Sequence, residues 1–560
     1  MARHLCLRTL WSPRPRPLAA RPPSTPPMTR ATRLLVLAAL ATACVATPGR
    51  PDLVRFAYAP DELPTTAEAS GFTRTSEHAA VVAHFERIAT ASDLVAPISL
   101  GTSHEGRDLL AVLIADPPIA SAAEARASSK PLVFLFGNIH AGEVCGKEAL
   151  GMIARELAGG SPLLEHVNVA ILANYNPDGN DAMAPDNRPG QIGPETMGER
   201  ANALGLDLNR DWVKADAPET RAFIRFLNAY DPLVIVDTHT TNGSHHRYTI
   251  THQGPKHPAG DRRVIEYVRD TLLPDVDARF AATTDYESFV YGNFGRRHQI
   301  WTTYPAEPRY GVAYRGLRNR LSVLSEAYSY ATYRDRVLGT KAFCEAVLEH
   351  VAQNAERVVE LCRTADARAI ERGAGTEPSE RLPLRVEARP FPGTVVAKGF
   401  EEYDANGERT EPGAPRDWEV EVVNDFVPTL EVDLPRAYVF GPEFAGVAEH
   451  LELHGIRLRR LDTPVTATLE RYRITDFERA EAPFEGRARA DVRAAERFDA
   501  RLELAVGTYV VPTAQPLGAL AAYLLEPQAT DGLAAWGFVG MVQGEPFPIA
   551  RTNDVAVATD

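Results

Sequence analysis

His140-Ala-Gly-Glu143 places an imidazole and a carboxylate three residues apart. With the histidine at a strand end and the glutamate opening a helix, such a pair can grip one zinc ion. The preceding run, Pro131-Leu-Val-Phe-Leu-Phe136, reads as a buried strand, and Gly137-Asn-Ile leads from it to the histidine. Residues leaving the carboxyl end of a parallel strand face the crevice where open α/β sheets bind ligands. The pair alone is weak, because 15 histidines and 74 acidic residues produce about two His-x-x-Asp/Glu pairs by chance. Two further apolar runs supply context. Leu233-Val-Ile-Val-Asp237 ends in Thr238-His239, and Leu321-Ser-Val-Leu-Ser325 ends in Glu326. Catalytic zinc commonly takes three protein ligands and keeps a fourth position for water. His140, Glu143 and His239 make such a set, and Glu326 is free to act as general base. The plainer alternative is a sheet whose strands end in satisfied polar residues. Cys145 follows closely enough to offer a thiolate, but reads as a small buried residue of the helix starting near Glu143.

Those residues need a sheet to carry them. From about Asp61 to Cys362 apolar strands alternate with helical stretches. Ser76 to Ala91, Glu143 to Leu157 and Glu219 to Ala229 read as helices, and Val95–Leu100, Leu110–Ile114 and Val167–Ala173 as strands. This alternation predicts an α/β fold, a mixed and largely parallel sheet with helices on both faces. One long helix from Asp335 to Cys362 would hold Cys344 and Cys362 too far apart for a disulfide. After about Ala365 the composition changes. Thr376 to Pro383 reads as a linker, and alternating runs such as Trp418–Val423, Ala437–Phe440 and Thr508–Val511 predict a second, β-rich α/β domain over 383–560.

A chain of 560 residues is too long for one ordinary domain. Hydrophobic content of 44% with 24% charged residues describes a soluble globular protein. A net charge of −14 argues against nucleic acid or an anionic membrane as partner. Five cysteines exclude a disulfide scaffold. Residues 1–27 are rich in Pro and Arg and read as a misassigned start upstream of Met28, an Arg-rich transit peptide being the alternative. Residues 28–44 read as a signal peptide: basic Thr29–Arg33, apolar Leu34–Ala43 and a small-residue cleavage site. The apolar stretch is too short to span a bilayer and no other segment could cross one. A secreted or periplasmic protein is expected. Cys44 after Leu40-Ala-Thr-Ala43 loosely resembles a lipobox, which leaves a lipid anchor at Cys44 open.

Between Glu143 and His239 lie Asn176-Pro-Asp-Gly179, a tight-turn signal, and a stretch placing Arg200, Asn209 and Arg210 without an amphipathic period to justify them. Arginine forks match carboxylates and stabilise oxyanions, although arginines on a solvated surface need no such role. Together with Leu100-Gly-Thr-Ser-His-Glu-Gly-Arg107, Gly205-Leu-Asp-Leu-Asn-Arg210, Asp237-Thr-His239 and Leu324-Ser-Glu326, these motifs resemble the zinc carboxypeptidase family of the carboxypeptidase A type over 53–365. The carboxyl-terminal part resembles the accessory region of some bacterial secreted relatives. The resemblance implies one Zn2+ held by His140, Glu143 and His239, with Asp207 orienting His140. It also implies that Arg200 polarises the scissile carbonyl, Asn209 and Arg210 hold the substrate's terminal carboxylate, and Glu326 is the base. Tyr304 is chosen as the family's mobile tyrosine, with Tyr310 and Tyr314 as rivals. Gly142 stands where the digestive enzymes carry an arginine, so one subsite contact is missing.

The expected function is therefore a zinc metallocarboxypeptidase that hydrolyses the C-terminal peptide bond of peptides or proteins. A zinc-dependent deacylase or amidase acting on N-acyl amino acids or cell-wall peptides is the alternative, since it too would bind a free carboxylate. A binding protein on an inactive peptidase scaffold is the alternative of another class. Arg309, Arg315 and Arg318 hint at acidic substrates, with surface solvation as the plainer account.

Overall fold

The computed structural model describes residues 53–57, 59–295, 297–375, 381–403 and 408–558. The segments read as upstream stretch, signal peptide and lipobox, residues 1–44, lie outside the described residues. No helix among the described residues is long and apolar enough to cross a membrane.

The site is carried by an eight-stranded mixed sheet. Its centre is four parallel strands in the spatial order Asn168–Leu172, Leu132–Gly137, Val234–Thr241, Leu321–Tyr328. Val95–Thr102 and Asp108–Ile114 form an antiparallel hairpin on one side, and Ile250–Gln253 runs antiparallel to Leu321–Tyr328 on the other. Leu132–Gly137 is buried throughout, as expected of a strand covered on both faces. Its residues divide by the two-residue pleat. Val133 and Leu135 join a core with the helices His78–Ala91, Cys145–Ala158 and Tyr333–Gln353, while Phe134 and Phe136 pack against Phe223 of the helix Pro218–Tyr230.

The core on the Phe134 side continues into the carboxyl-terminal part, through Leu382, Leu384, Phe440, Leu451, Tyr523 and Trp536. Two more sheets stand there. In one, Ile300–Thr302 pairs in parallel with the long strand Pro415–Val432. In the other, six strands include the long hairpin of Val465–Arg479 and Ala490–Leu504. The linker expected at 376–383 falls largely outside the described residues, and Leu382 and Pro383 already belong to the strand Leu382–Pro390.

One expectation is corrected. The stretch from Asp335 to Cys362 is two helices, Tyr333–Gln353 and Ala355–Gly373, and they separate Cys344 from Cys362. Asn354 leaves helical geometry between them, with φ −119° and ψ 23°, and its side chain donates to the His350 carbonyl (2.8 Å). Asparagine competes well for such carbonyls, which suits it to helix ends rather than helix interiors.

Candidate metal centre

Three neighbouring parallel strands bring the predicted residues together at their carboxyl ends. His140 and Glu143 lie in the turn between Leu132–Gly137 and the helix Cys145–Ala158, closed by a Glu143 N–H to His140 carbonyl bond (2.8 Å). His239 is near the end of Val234–Thr241, and the parallel register sets Glu326 directly beside it. His140, Glu143 and His239 are buried, and each aims one ligand atom at a common centre, all within 4.8 Å of one another. Glu143 Oε1 lies 3.0 Å from His140 Nδ1, and Oε2 lies 3.0 Å from His239 Nδ1.

The donor set suits zinc. The far nitrogen of each ring faces a carboxylate: His140 Nε2 is 2.9 Å from Asp207 Oδ1, and His239 Nε2 is 2.9 Å from Asp237 Oδ1. A carboxylate on Nε2 holds the proton there and leaves the Nδ1 lone pair facing inward, the usual support for a metal-bound imidazole. Burial works against the charge on Asp207, but His140, Arg200 and Arg210 outweigh it and hold that carboxyl far below the usual range. Asp237 was legible in the sequence only as part of a motif. Here it is fully buried and bonded to the Arg315 guanidinium (2.8 Å).

Behind the centre is a cavity of about 300 Å³. Glu326, Arg188, Arg200, Asn209, Arg210, Tyr291, Tyr304 and Tyr310 all line it. Burial pushes the Glu326 carboxyl up to about 8, with Glu143 and Asp237 acting in the same sense and His239 and Arg188 against it. A bound divalent cation would draw that value back down. Arg200 grips Asp207 Oδ2 through Nη2 (2.8 Å) and Nε (3.2 Å). Arg210 stacks on Tyr310, its guanidinium carbon 4.3 Å from the ring centre, while Asn209 Oδ1 accepts the Gly311 N–H (2.9 Å).

Of the tyrosines, Tyr304 and Tyr310 border the cavity and Tyr314 does not. Tyr314 is buried, its hydroxyl 2.7 Å from His454 Nδ1. Tyr304 is held from behind by Lys256, whose ammonium donates to its carbonyl (2.6 Å) and sits 3.3 Å from its ring centre. Arg309, Arg315 and Arg318 are neither solvated nor at the cavity. They pair internally with Asp531 (2.9 Å), Asp237 (2.8 Å) and the His454 carbonyl (2.7 Å). Cys145 stays out of the ligand cluster, buried 3.0 Å from Thr240 Oγ1, and burial raises its thiol.

Arg188 is the residue that sequence patterns passed over. It approaches Glu143 to 3.2 Å and donates to the Thr240 carbonyl (3.1 Å). Gly142 makes room for it: a Cβ there would meet Arg188 Cγ at 2.6 Å and the Gly198 carbonyl at 2.7 Å. The arginine absent at position 142 is thus matched by one reaching in from a distant loop. Gly142→Ala is expected to destabilise the protein by roughly 1–3 kcal/mol through overpacking, since the Gly198 backbone cannot swing away. Denaturant unfolding would measure this, and an unchanged midpoint would contradict it.

Residues 81–292 match the zinc carboxypeptidase family. The chain carries a zinc carboxypeptidase domain. The matched segment holds all three metal-binding residues and ends before Tyr304 and Glu326. Carboxypeptidase 2 of Trichophyton rubrum is 21% identical over 453 residues, covering 77% of this chain and 78% of its own. Mouse carboxypeptidase D is 34% identical over 156 residues, 23% of this chain and 11% of that one. Among solved structures, a metallo-carboxypeptidase from Pseudomonas aeruginosa in complex with (2-guanidinoethylmercapto)succinic acid covers 50% of this chain and 68% of its own (19% identity, TM-score 0.38). Carboxypeptidase A from Helicoverpa armigera covers 53% and 80% (16% identity, TM-score 0.39). Family and donor set together make this protein a zinc metallopeptidase with one Zn2+ at His140, Glu143 and His239.

Proposed function

We propose that this protein is a metallocarboxypeptidase that removes the last residue of peptides. The observation carrying this reading is the cavity wall, where Glu326 stands beside His239 while Asn209, Arg210 and Arg200 line the same small space. Zinc, when bound, supplies a Lewis acid that acidifies a water and polarises a carbonyl. Glu326 takes the proton from the attacking water and returns it to the leaving amine. Arg200, fixed on Asp207, stabilises the negative charge growing on the scissile carbonyl oxygen. Arg210 and Asn209 bind the free carboxylate of the substrate, which restricts cleavage to the chain end. Stacking on Tyr310 and a bond to the Asn209 carbonyl (3.0 Å) hold the Arg210 guanidinium in place for this. Tyr304 closes the side of the cavity. The basic and apolar run of residues 28–44 supports action outside the cytoplasm.

The test is a peptide panel read by mass, with and without chelator. Single residues should leave the carboxyl terminus of free-acid peptides, amidated peptides should persist, and chelator should stop the reaction. Arg210→Ala should raise KM by about 10-fold or more, since a charge-assisted hydrogen bond contributes on the order of 1.5–3 kcal/mol. Equal cleavage of amidated peptides would refute the carboxylate assignment. Preferential turnover of N-acyl amino acids or murein peptides would replace the substrate class with the deacylase or amidase alternative.

A further inference from the structure

The carboxyl-terminal part reaches the metal centre through one turn. Its long hairpin continues past Arg479 and Ala490 into a loop tightened by the Ala480 N–H to Arg489 carbonyl bond (2.8 Å). At the tip, Phe484 and Arg487 exchange both backbone hydrogen bonds (2.9 and 3.1 Å). Glu485 and Gly486 are the central residues, at φ +49° and +79°. A two-residue turn with both φ values positive is type I′, which favours Asn-Gly or Gly-Gly. Glutamate is a poor choice for the first position, because its Cβ crowds the backbone in the left-handed region. An outlier of this kind calls for a reason outside the turn.

The reason on view is Asp207. Glu485 Oε2 accepts the Asp207 N–H at 2.8 Å. Asp207 caps the short helical turn Leu208–Arg210, and its Oδ1 accepts from both His140 Nε2 (2.9 Å) and the Asn209 N–H (2.8 Å). Beside Glu485, Arg487 forks onto Asp216 (2.6 and 2.8 Å) and lies over Phe538, 4.0 Å from its ring centre. The turn therefore holds the segment bearing Asp207, Asn209 and Arg210 at two points, Asp207 and Asp216.

We propose that Glu485 is a positioning residue of the metal centre: its carboxylate fixes the Asp207 backbone, and through Asp207 the ring of His140. This rests on the reading of Asp207 as the residue that orients His140. Partners one step behind a metal ligand commonly change metal affinity or activity by 10–100-fold. Glu485 stands one step further out, so an effect of about 3–10-fold is expected.

Turn preference and metal support pull in opposite directions here, which separates them experimentally. In the full-length, zinc-loaded protein, Glu485→Gly suits the turn better and should leave the melting temperature unchanged or raised. Zinc transfer to a competing chelator should nevertheless quicken by about 3–10-fold, with kcat falling in step. Glu485→Gln keeps an accepting oxygen and should stay within about twofold of the original chain. Wild-type zinc release from Glu485→Gly would overturn the proposal while leaving the reading of Asp207 intact. So would zinc release and melting temperature worsening together in both variants. Asp207→Ala is the control: if it too releases zinc at the original rate, the orienting role of Asp207 fails and the proposal fails with it.

Discussion

Replacing Glu326 with glutamine is expected to lower kcat by about 10²–10⁴-fold, the usual contribution of a positioned general base, while the zinc content and KM hold. Glutamine matches the shape of glutamate and keeps one oxygen, so the strand Leu321–Tyr328 and its register with Val234–Thr241 should survive. What disappears is a group able to take and return a proton. Burial and the carboxylates Glu143 and Asp237 raise the proton affinity of Glu326, and His239 and Arg188 oppose them. A base near the working pH is the effective one. The acid limb of the kcat/KM profile should therefore vanish in the variant together with the rate. Single-turnover kinetics beside metal analysis would check this, and a Glu326→Gln enzyme with full turnover would remove Glu326 from the chemistry.

Acidification should destabilise the fold strongly, through buried histidines outside the metal-binding cluster. Burial pushes His246 and His257 down to about 3 and His450 to about 4, against an ordinary value of 6.5. All three are at most 5% exposed. Two of them receive a bond that suits a neutral ring: His246 Nδ1 accepts the Tyr248 N–H (3.3 Å) and His257 Nδ1 accepts the Ala259 N–H (3.1 Å), while at His450 the Val213 carbonyl 2.8 Å from Nε2 opposes the effect of burial without cancelling it. A lowered value in the folded state means that the unfolded chain binds more protons below pH 6.5. Stability from this source is thus complete above that pH and drains away as pH falls toward 3–4. At pH 5 the loss is about 2 kcal/mol per histidine, or roughly 6 kcal/mol in all, comparable to the whole stability of many domains. Carboxyl groups titrate in the same window, so the clean measurement is a difference. Between pH 7.5 and 5 the original chain should lose about 2 kcal/mol more than His257→Gln, followed by denaturant unfolding. Parallel pH curves for the two proteins would refute the assignment.

The residues that the three strand ends bring together were legible because they follow local rules. His140, His239 and Glu326 each sit at the end of an apolar run, and Leu132–Gly137 is the buried strand that its apolar run predicts. The two-residue pleat then settles which core each side chain enters, as Phe134 and Val133 show by facing opposite ways. Other features escaped for equally physical reasons. The helix break at Asn354 is marked by one side chain bonding the His350 carbonyl, which the surrounding helical pattern conceals. Arg309, Arg315 and Arg318 resembled surface charges because their partners lie elsewhere in the chain, Asp531 being 222 residues from Arg309.

The amino-acid order by itself determined the strand ends, the ligand types and the turn that joins His140 to Glu143, since these depend on neighbours along the chain. Tertiary structure alone decided that Arg188 enters the space left by Gly142, that Asp237 backs His239, and that Glu485 meets Asp207 across 278 residues. Contacts of that kind form when separate elements bury their apolar faces against one another, and a hydrogen bond between such elements leaves no periodic trace in either one.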